Sequence, residues 1–486
     1  MTERPNIVVV LVDQLRRDAL SCRGDPNVRT PNIDELARRG VSFDAACSSY
    51  PACVPFRFSM MTGEYAHTRG VLAIGHRLSP AERTLGEAVR DQGYATAYIG
   101  KWHLYSGYGL TGGMTLSQAC RTPVPASHRR GFDTWRGFEL RNDFHDTWYF
   151  RDDETEPRKL DGYQTHALFE MACDYVVRDR PRDRPFFLML SVEAPHPPFT
   201  APPGRVAAVA ARGPLRTRPN VDVEAIRFAP PEWYGPGNAG GTADRADIAT
   251  VRAAFDGNMA GYYAMIEEID DRMGQLLACL DGEGLTGSTV VVFLSDHGEL
   301  GGSHGLLGKA EPYEESVGIP LVVAGPGIRQ GATCPVPLAT EDLFATISGL
   351  AGRRDAPGPG RRSFASYLRG EAEPPDRKAV LLEFVMEARP GRGYFDRTWR
   401  GVRTATHKYV TLGDRSGALP WLLFDLAADP FEQHNLLDAP NAAELAAGLH
   451  GQLIDLLDET ADDYALAPAF GHPGRMARTP DSPSPG

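Results

Sequence analysis

At 486 residues, 42% hydrophobic and 23% charged, the chain is long enough for one large globular domain plus a smaller one, with a sizeable buried core. Its 51 Lys and Arg against 63 Asp and Glu give a net charge of -12, which lacks the positive field that phosphate-backbone binding requires and excludes nucleic acid as the expected partner. The seven cysteines are scattered, odd in number and without a CxxC pair, so no zinc site or disulfide framework is expected and a reducing cytoplasm fits best.

The opening MTERPNIVVVLVDQ holds an apolar run too short for a membrane span. Asp13 follows it where a signal peptide would need small residues, so neither export nor membrane anchoring is expected. Residues 6–12 are continuously apolar and β-branched, which predicts a strand buried on both faces of a parallel sheet. Thr30 and Pro31 supply an N-cap and a first-turn proline for a helix over NIDELARR, which Gly40 stops. Further buried strands read at 95–99, 186–190 and 289–294, with a long helix from about 255 to 280 between the last two. Strand and helix alternate, which predicts an α/β sheet.

Residues 202–245 are rich in Pro, Gly, Ala and Arg without periodicity, consistent with an irregular insertion near a site. After residue 368 the pattern changes: 380–384, 401–410 and 422–426 read as short strands and 442–457 as a closing helix. The expected organisation is a large α/β domain over 1–370, a smaller α+β subdomain over 371–470 and a flexible tail over 471–486.

In open α/β sheets ligands bind beyond the carboxyl ends of the strands, so the polar residues after each apolar run form a shortlist. It contains Asp13 and Gln14, then Lys101 and His103, then His196, then Asp296 and His297. Any one of these is more often a turn former or helix cap than a functional group. Together, the oxygens of Asp13, Gln14 and Asp296 and the imidazole of His297 suit a hard divalent cation and lack the soft sulfur of a structural zinc site. In CVPFRFSMMTG, Pro55 suits the first turn of a helix, which places Cys53 at an amino terminus that favours an anion, with Arg57 four residues on along the same face. On physical grounds Cys53 is either a small buried hydrophobe or a thiol of depressed pKa.

These segments resemble the formylglycine-dependent sulfatase family within the alkaline-phosphatase-like superfamily. Cys53-x-Pro55-x-Arg57 matches the signal read by enzymes that oxidise cysteine to formylglycine. GYATAYIGKWHL (93–104), PHPPF (195–199), SDHGE (295–299) and GLLGKAEPYEESVGIPL (305–321) look like blocks of that family in the right order. LLFDLAADPFEQHNL (422–436) resembles its closing subdomain, so the likeness runs from about residue 5 to 457.

The resemblance implies a large mixed, mostly parallel sheet flanked by helices, with a smaller C-terminal α+β subdomain, and hydrolysis of a small-molecule or carbohydrate sulfate ester. It implies that Asp13, Gln14, Asp296 and His297, with an oxygen of residue 53, hold one divalent ion, Ca2+ by preference over Mn2+ or Mg2+. It further implies that a formylglycine-generating enzyme converts Cys53 to formylglycine (3-oxoalanine), whose hydrate attacks sulfur. Arg57 would support that group, Lys101 and Lys309 would bind sulfate oxygens, His196 with Lys309 would assist the departing alcohol, and His103 would remove the second hydroxyl proton.

Departures from the family pattern are visible. Gln14 stands where many members have aspartate and His297 where many have asparagine, as in choline-sulfatase-like and phosphonate-monoester-hydrolase-like members. Phe56 and Phe58 replace small and polar residues, and Val71 is followed by LAIG rather than the frequent asparagine. A phosphonate monoester hydrolase or phosphodiesterase of the same superfamily is the first alternative, opposed by Lys101 and His103 in GKWHL. A catalytically silent binding protein is the second, opposed by the filled chemical positions. No role is expected for His67, His76 or His128, the 267–271 charge run reads as the wet face of the long helix, and Asp143, His145 and Asp146 are as readily a solvated loop as a pocket lining.

Overall fold

The apolar run at the start of the chain becomes the middle strand of a sheet, and its side chains leave alternately into two cores. In the computed structural model, which describes residues 4–110, 112–228, 248–353, 358, 360–387, 397–413 and 417–475, every residue of Asn6–Val12 is buried. Val8, Val10 and Val12 meet the helices Gln164–Asp174 and Ile248–Gly282 through Leu168, Ile266 and Ile269. Ile7, Val9 and Leu11 meet Phe56, Phe58 and Met60 of the helix Cys53–Thr62. A period of two with both faces covered leaves residues 7–12 no polar position, and the one polar residue, Asn6 at the strand's start, accepts from Phe186 N at 3.1 Å.

Strands β1 (Asn6–Val12), β2 (Gly40–Phe43), β3 (Ala95–Lys101), β4 (Thr134–Phe138), β5 (Trp148–Arg151), β6 (Arg158–Lys159), β7 (Phe186–Val192), β8 (Thr289–Ser295), β9 (Leu321–Ala324) and β10 (Ala332–Cys334) form one sheet. It is 10-stranded, in the order β10-β2-β9-β8-β1-β7-β3-β4-β5-β6. Strands β8, β1, β7, β3 and β4 are parallel neighbours, while β9 and β5 run antiparallel to β8 and β4. The sheet is therefore large, mixed and mostly parallel, as the resemblance implied. Strands β11 (Ala379–Phe384), β12 (Thr398–Thr404), β13 (His407–Gly413) and β14 (Leu419–Asp425) form a separate four-stranded antiparallel sheet. Leu449, Leu453 and Leu457 of the helix Ala443–Glu459 cover one face of it.

Several expectations are corrected. Gly40 does not only stop a helix; it opens β2. The helix Pro31–Arg38 is not capped by the Thr30 side chain, which donates to Asp34 instead; the Asp270 carboxylate accepts from Ile33 N at 2.8 Å and Asn32 N at 3.2 Å. The 267–271 run is accordingly no wet face, since Glu267, Glu268 and Asp270 are buried. Residues 401–410 are a hairpin between β12 and β13 rather than one strand. The 202–245 stretch contains a helix, Pro203–Ala210, and its residues 229–245 lie outside the described ones. Of the expected tail, 476–486 lie outside the described residues, whereas Arg475 pairs with Leu466 through the backbone. His67 is no ordinary surface histidine: Nδ1 lies 2.5 Å from Glu383 Oε2 of β11, tying the early chain to the C-terminal sheet. Among the described residues no helix is long and apolar enough to cross a membrane.

Candidate active site

Strands β8, β1, β7 and β3 are adjacent and parallel, so their carboxyl ends open on one edge. Asp296 and His297 follow β8, Asp13 and Gln14 follow β1, and Glu193 and His196 follow β7. Lys101 is the last residue of β3 rather than the first beyond it, and His103 follows two residues later. Behind Lys101 the strands approach so closely that a Cβ on Gly100, at φ +105°, would lie 1.9 Å from Ser191 O.

The helix Cys53–Thr62 begins at this edge with Cys53 as its first residue, and its residues are buried throughout, including Phe56 and Phe58. Its amino terminus therefore presents free N–H groups and a positive dipole end to the site. Cys53 Sγ lies 3.0 Å from Lys309 Nζ, 3.2 Å from His297 Nε2 and 3.6 Å from Asp13 Oδ1. Burial and the Asp13 carboxylate push the thiol up to about 11, against the pull of Lys309 and Lys101. Cys53 is thus a protonated thiol in a polar site, neither a hydrophobic filler nor a low-pKa nucleophile.

Lys101 Nζ lies 2.8 Å from Asp13 Oδ2 and 3.5 Å from Glu193 Oε1. Arg57 Nη2 donates to Asp13 Oδ2 and Asp296 Oδ2, each at 3.1 Å, and Nη1 donates to Ser191 Oγ at 2.7 Å and Lys101 O at 3.1 Å. Arg57 thereby fixes the two carboxylates that flank residue 53, instead of donating to Cys53 itself. Burial would raise Asp13, but Lys101, His196, Lys309 and Arg57 hold it well below the usual carboxylate range. Burial and the neighbouring Asp13 push Asp296 up to about 6. Ligand atoms of Asp13, Cys53, Asp296 and His297 lie within 4.8 Å of one another. Two crowded, buried carboxylates and an imidazole fit a divalent cation, whose charge would relieve their repulsion. His297 contributes a defined tautomer: its Nδ1 faces Gly298 O at 3.1 Å as donor, leaving the Nε2 lone pair toward residue 53.

His103 is buried, sits at φ +57°, and neither ring nitrogen has a hydrogen-bond partner among the described residues. Burial and the Lys101 and Arg57 cations push it well below its ordinary value, so the imidazole is neutral and able to accept a proton. The turn that carries it is held by Glu139, which accepts from Leu104 N at 3.2 Å and Ser106 N at 2.8 Å. His196 donates from Nδ1 to Pro197 O at 2.7 Å, and burial with the Lys309 cation lowers it as well.

Two buried carboxylates were not singled out from the sequence. Glu193 accepts from Arg141 N and Gln164 Nε2, each at 2.9 Å, beneath Lys101. Glu299, the last residue of SDHGE, accepts from the Gln14 amide. The only sequence signal for either is its place just beyond an apolar strand. Asp143 and Asp146 pair with Arg141 at 3.2 and 2.8 Å, and His145 lies against Tyr163 at 5.2 Å, a local arrangement with no contact to Cys53.

A family model described as Sulfatase matches residues 5–353, and one described as N-sulphoglucosamine sulphohydrolase, C-terminal, matches residues 302–459. The ulvan-active sulfatase of Formosa agariphila is 31% identical over 95% of this chain and 82% of its own. The multifunctional alkaline phosphatase superfamily protein PehA of Trinickia caryophylli is 30% identical over 91% of this chain and 93% of its own. A structure solved in complex with its substrate D-glucosamine-2-N,6-O-disulfate shares the fold with a TM-score of 0.79 at 22% identity, covering 95% of this chain and 99% of that one. With this fold, these blocks and this site, the chain belongs to the sulfatase family of the alkaline-phosphatase-like superfamily and is a sulfuric ester hydrolase.

Proposed function

We propose that the chain hydrolyses a carbohydrate sulfate monoester after a formylglycine-generating enzyme has converted Cys53 to formylglycine. A divalent cation would be held by Asp13, Gln14, Asp296, His297 and an oxygen of residue 53. The observation that carries this reading is the position of Cys53 Sγ between His297 Nε2 and Lys309 Nζ, at the head of a buried helix bearing Cys53-x-Pro55-x-Arg57. Calcium is the preferred ion, with manganese and magnesium as the other fits to this donor set. When bound, the cation supplies Lewis-acid polarisation of a sulfate oxygen, and the formylglycine hydrate supplies the nucleophilic hydroxyl and a second hydroxyl to expel sulfate.

The remaining work falls to this chain's side chains. Lys101 and Lys309 place two ammonium groups for the sulfate oxygens, and Arg57 holds Asp13 and Asp296 in register. His103, neutral and with both ring nitrogens free of hydrogen bonds among the described residues, accepts the proton of the second hydroxyl. Lys309, with His196 within reach of its charge, stabilises and protonates the departing alcohol oxygen. The carbohydrate assignment is supported by the substrates named for the ulvan-active relative and for the glucosamine disulfate complex. Seven free cysteines support a cytoplasmic location.

The test is kcat/KM of the purified, matured protein on sulfated saccharides, an aryl sulfate, an aryl phosphate diester and a phosphonate monoester. A preference for sulfates of about 100-fold or more, which is about 2.7 kcal/mol, is expected. Preference for the diester or phosphonate would turn the reading toward phosphoryl chemistry, and absence of turnover on the whole panel toward a silent binding protein.

A further inference from the structure

We propose that Glu299 is a positioning residue that fixes which end of the Gln14 side-chain amide is turned toward Cys53 and the cation site. The proposal rests on the metal site described under the proposed function. The Gln14 backbone lies at φ +70°, where its N–H donates to Asp296 Oδ1 at 3.0 Å and its carbonyl accepts from Tyr262 Oη at 3.1 Å. Its side chain then spans two buried, oppositely charged groups. Nε2 donates to Glu299 Oε2, while Oε1 accepts from Lys309 Nζ at 2.9 Å, and the same Nζ reaches Cys53 Sγ at 3.0 Å.

An amide has two ends of nearly equal shape, and only the polarity of its neighbours decides which points where. Glu299 accepts from two backbone N–H groups at Oε1 and faces the Gln14 amide with Oε2. Glu299 therefore draws the NH2 of Gln14 to itself and leaves the carbonyl oxygen, the end able to ligate a cation, on the side of Cys53 and Lys309. The second oxygen of Glu299 is anchored by Gly301 N and Gly308 N, each at 2.8 Å. One fully buried carboxylate thus orders both the Gln14 amide and the loop that delivers Lys309 one residue later.

The arrangement permits a polarity swap. In Glu299→Gln, the new amide oxygen must still accept from the two glycine N–H groups. Its NH2 then confronts that of Gln14, and the Gln14 amide turns over. In Gln14→Glu two carboxylates face each other. The double variant Gln14→Glu/Glu299→Gln restores one hydrogen bond with donor and acceptor exchanged, retains the net charge and leaves an oxygen toward the site.

Calcium and manganese are titrated calorimetrically into the matured wild type and the three variants, and the melting temperature of each metal-free protein is recorded. Glu299→Gln is expected to raise the Kd for the ion by about tenfold or more, the effect typical of groups that orient metal ligands. The double variant is expected to fold and to bind within about threefold of wild type, a rescue that a purely structural prop would not give. If the wild type binds neither ion, the metal reading of the site falls and takes this inference with it. If the wild type binds and Glu299→Gln binds as tightly, or the double variant fails to fold or to recover affinity, the positioning role alone is overturned.

Discussion

Nε2 of His297 lies 3.2 Å from Sγ of Cys53, although the two residues are 244 positions apart in the chain. The imidazole hydrogen is committed to Gly298 O, so a lone pair is aimed at residue 53 and at the space between Asp13 and Asp296. An ion bound there would be a cofactor of the reaction and not a support of the sheet, whose strands are held by their own cores. Chelation of the matured protein is therefore expected to abolish sulfate-ester hydrolysis and leave the far-UV circular dichroism unchanged. Calcium should restore turnover, and manganese or magnesium in part. Undiminished turnover after exhaustive chelation, verified by elemental analysis, would argue against the cation.

Asp296→Asn separates catalysis from stability. The amide keeps one oxygen for the Gln14 N–H, which bonds to Oδ1, and gives up the Oδ2 acceptor of Arg57, which retains Asp13, Ser191 and Lys101 O. It removes a carboxylate that burial and Asp13 push up to about 6. A carboxyl whose folded pKa lies above its unfolded value destabilises the fold at pH above both, so its removal relieves that cost. The metal-free variant is expected to melt no lower than wild type at pH 8, while hydrolysis falls by about 100-fold or more. A large drop in the metal-free melting temperature would contradict the repulsion described between Asp13 and Asp296.

His103→Asn is expected to lower kcat by roughly 10²–10⁴ with little change in KM, because the ring is assigned a proton and no part in binding the alcohol. Stability should change by about 1 kcal/mol or less, since both ring nitrogens are buried without partners among the described residues, where no hydrogen bond is lost. Asn also tolerates the left-handed backbone that His103 adopts at φ +57°. A raised KM at unchanged kcat would remove the base assignment.

His67 predicts a pH dependence of stability. Burial opposes its charge, but Glu383 at 2.5 Å and Asp462 at 3.8 Å outweigh it and push the imidazole up to about 9. The folded pKa is above the unfolded one, so the contribution is complete below about pH 6.5 and is lost as pH rises through 9. The shift corresponds to about 3 kcal/mol at most. Between pH 6 and 10 the melting temperature of wild type should fall more steeply than that of His67→Gln. Parallel curves would show that His67 is neutral in the fold.

The sequence and the structure agree where the signal is a pattern and part where it is a partner. The strand Asn6–Val12 was legible because its run from Ile7 on, covered on both faces, has no polar position, and Asp13, Lys101, His196 and Asp296 because sheet chemistry collects at and beyond strand ends. The resemblance added Cys53 and Lys309, which physical reasoning alone left as a thiol of uncertain kind and an ordinary loop lysine. Glu193, Glu299 and Asp270 were illegible for one reason: a buried carboxylate reads like an exposed one until its distant donors are known. Glu299 meets Gln14 285 positions away, and Asp270 caps a helix 237 positions away at Ile33. The 401–410 run was merged because a tight turn at 405–406 carries no glycine or proline.

The central claim is the conversion of Cys53, and peptide mass spectrometry of the protein co-produced with a formylglycine-generating enzyme tests it most directly. The peptide spanning Cys53 is expected to have lost its sulfur and to carry an aldehyde that a hydroxylamine probe captures, with hydrolytic activity rising in proportion to the converted fraction. Fully active protein in which residue 53 remains a thiol would contradict the account.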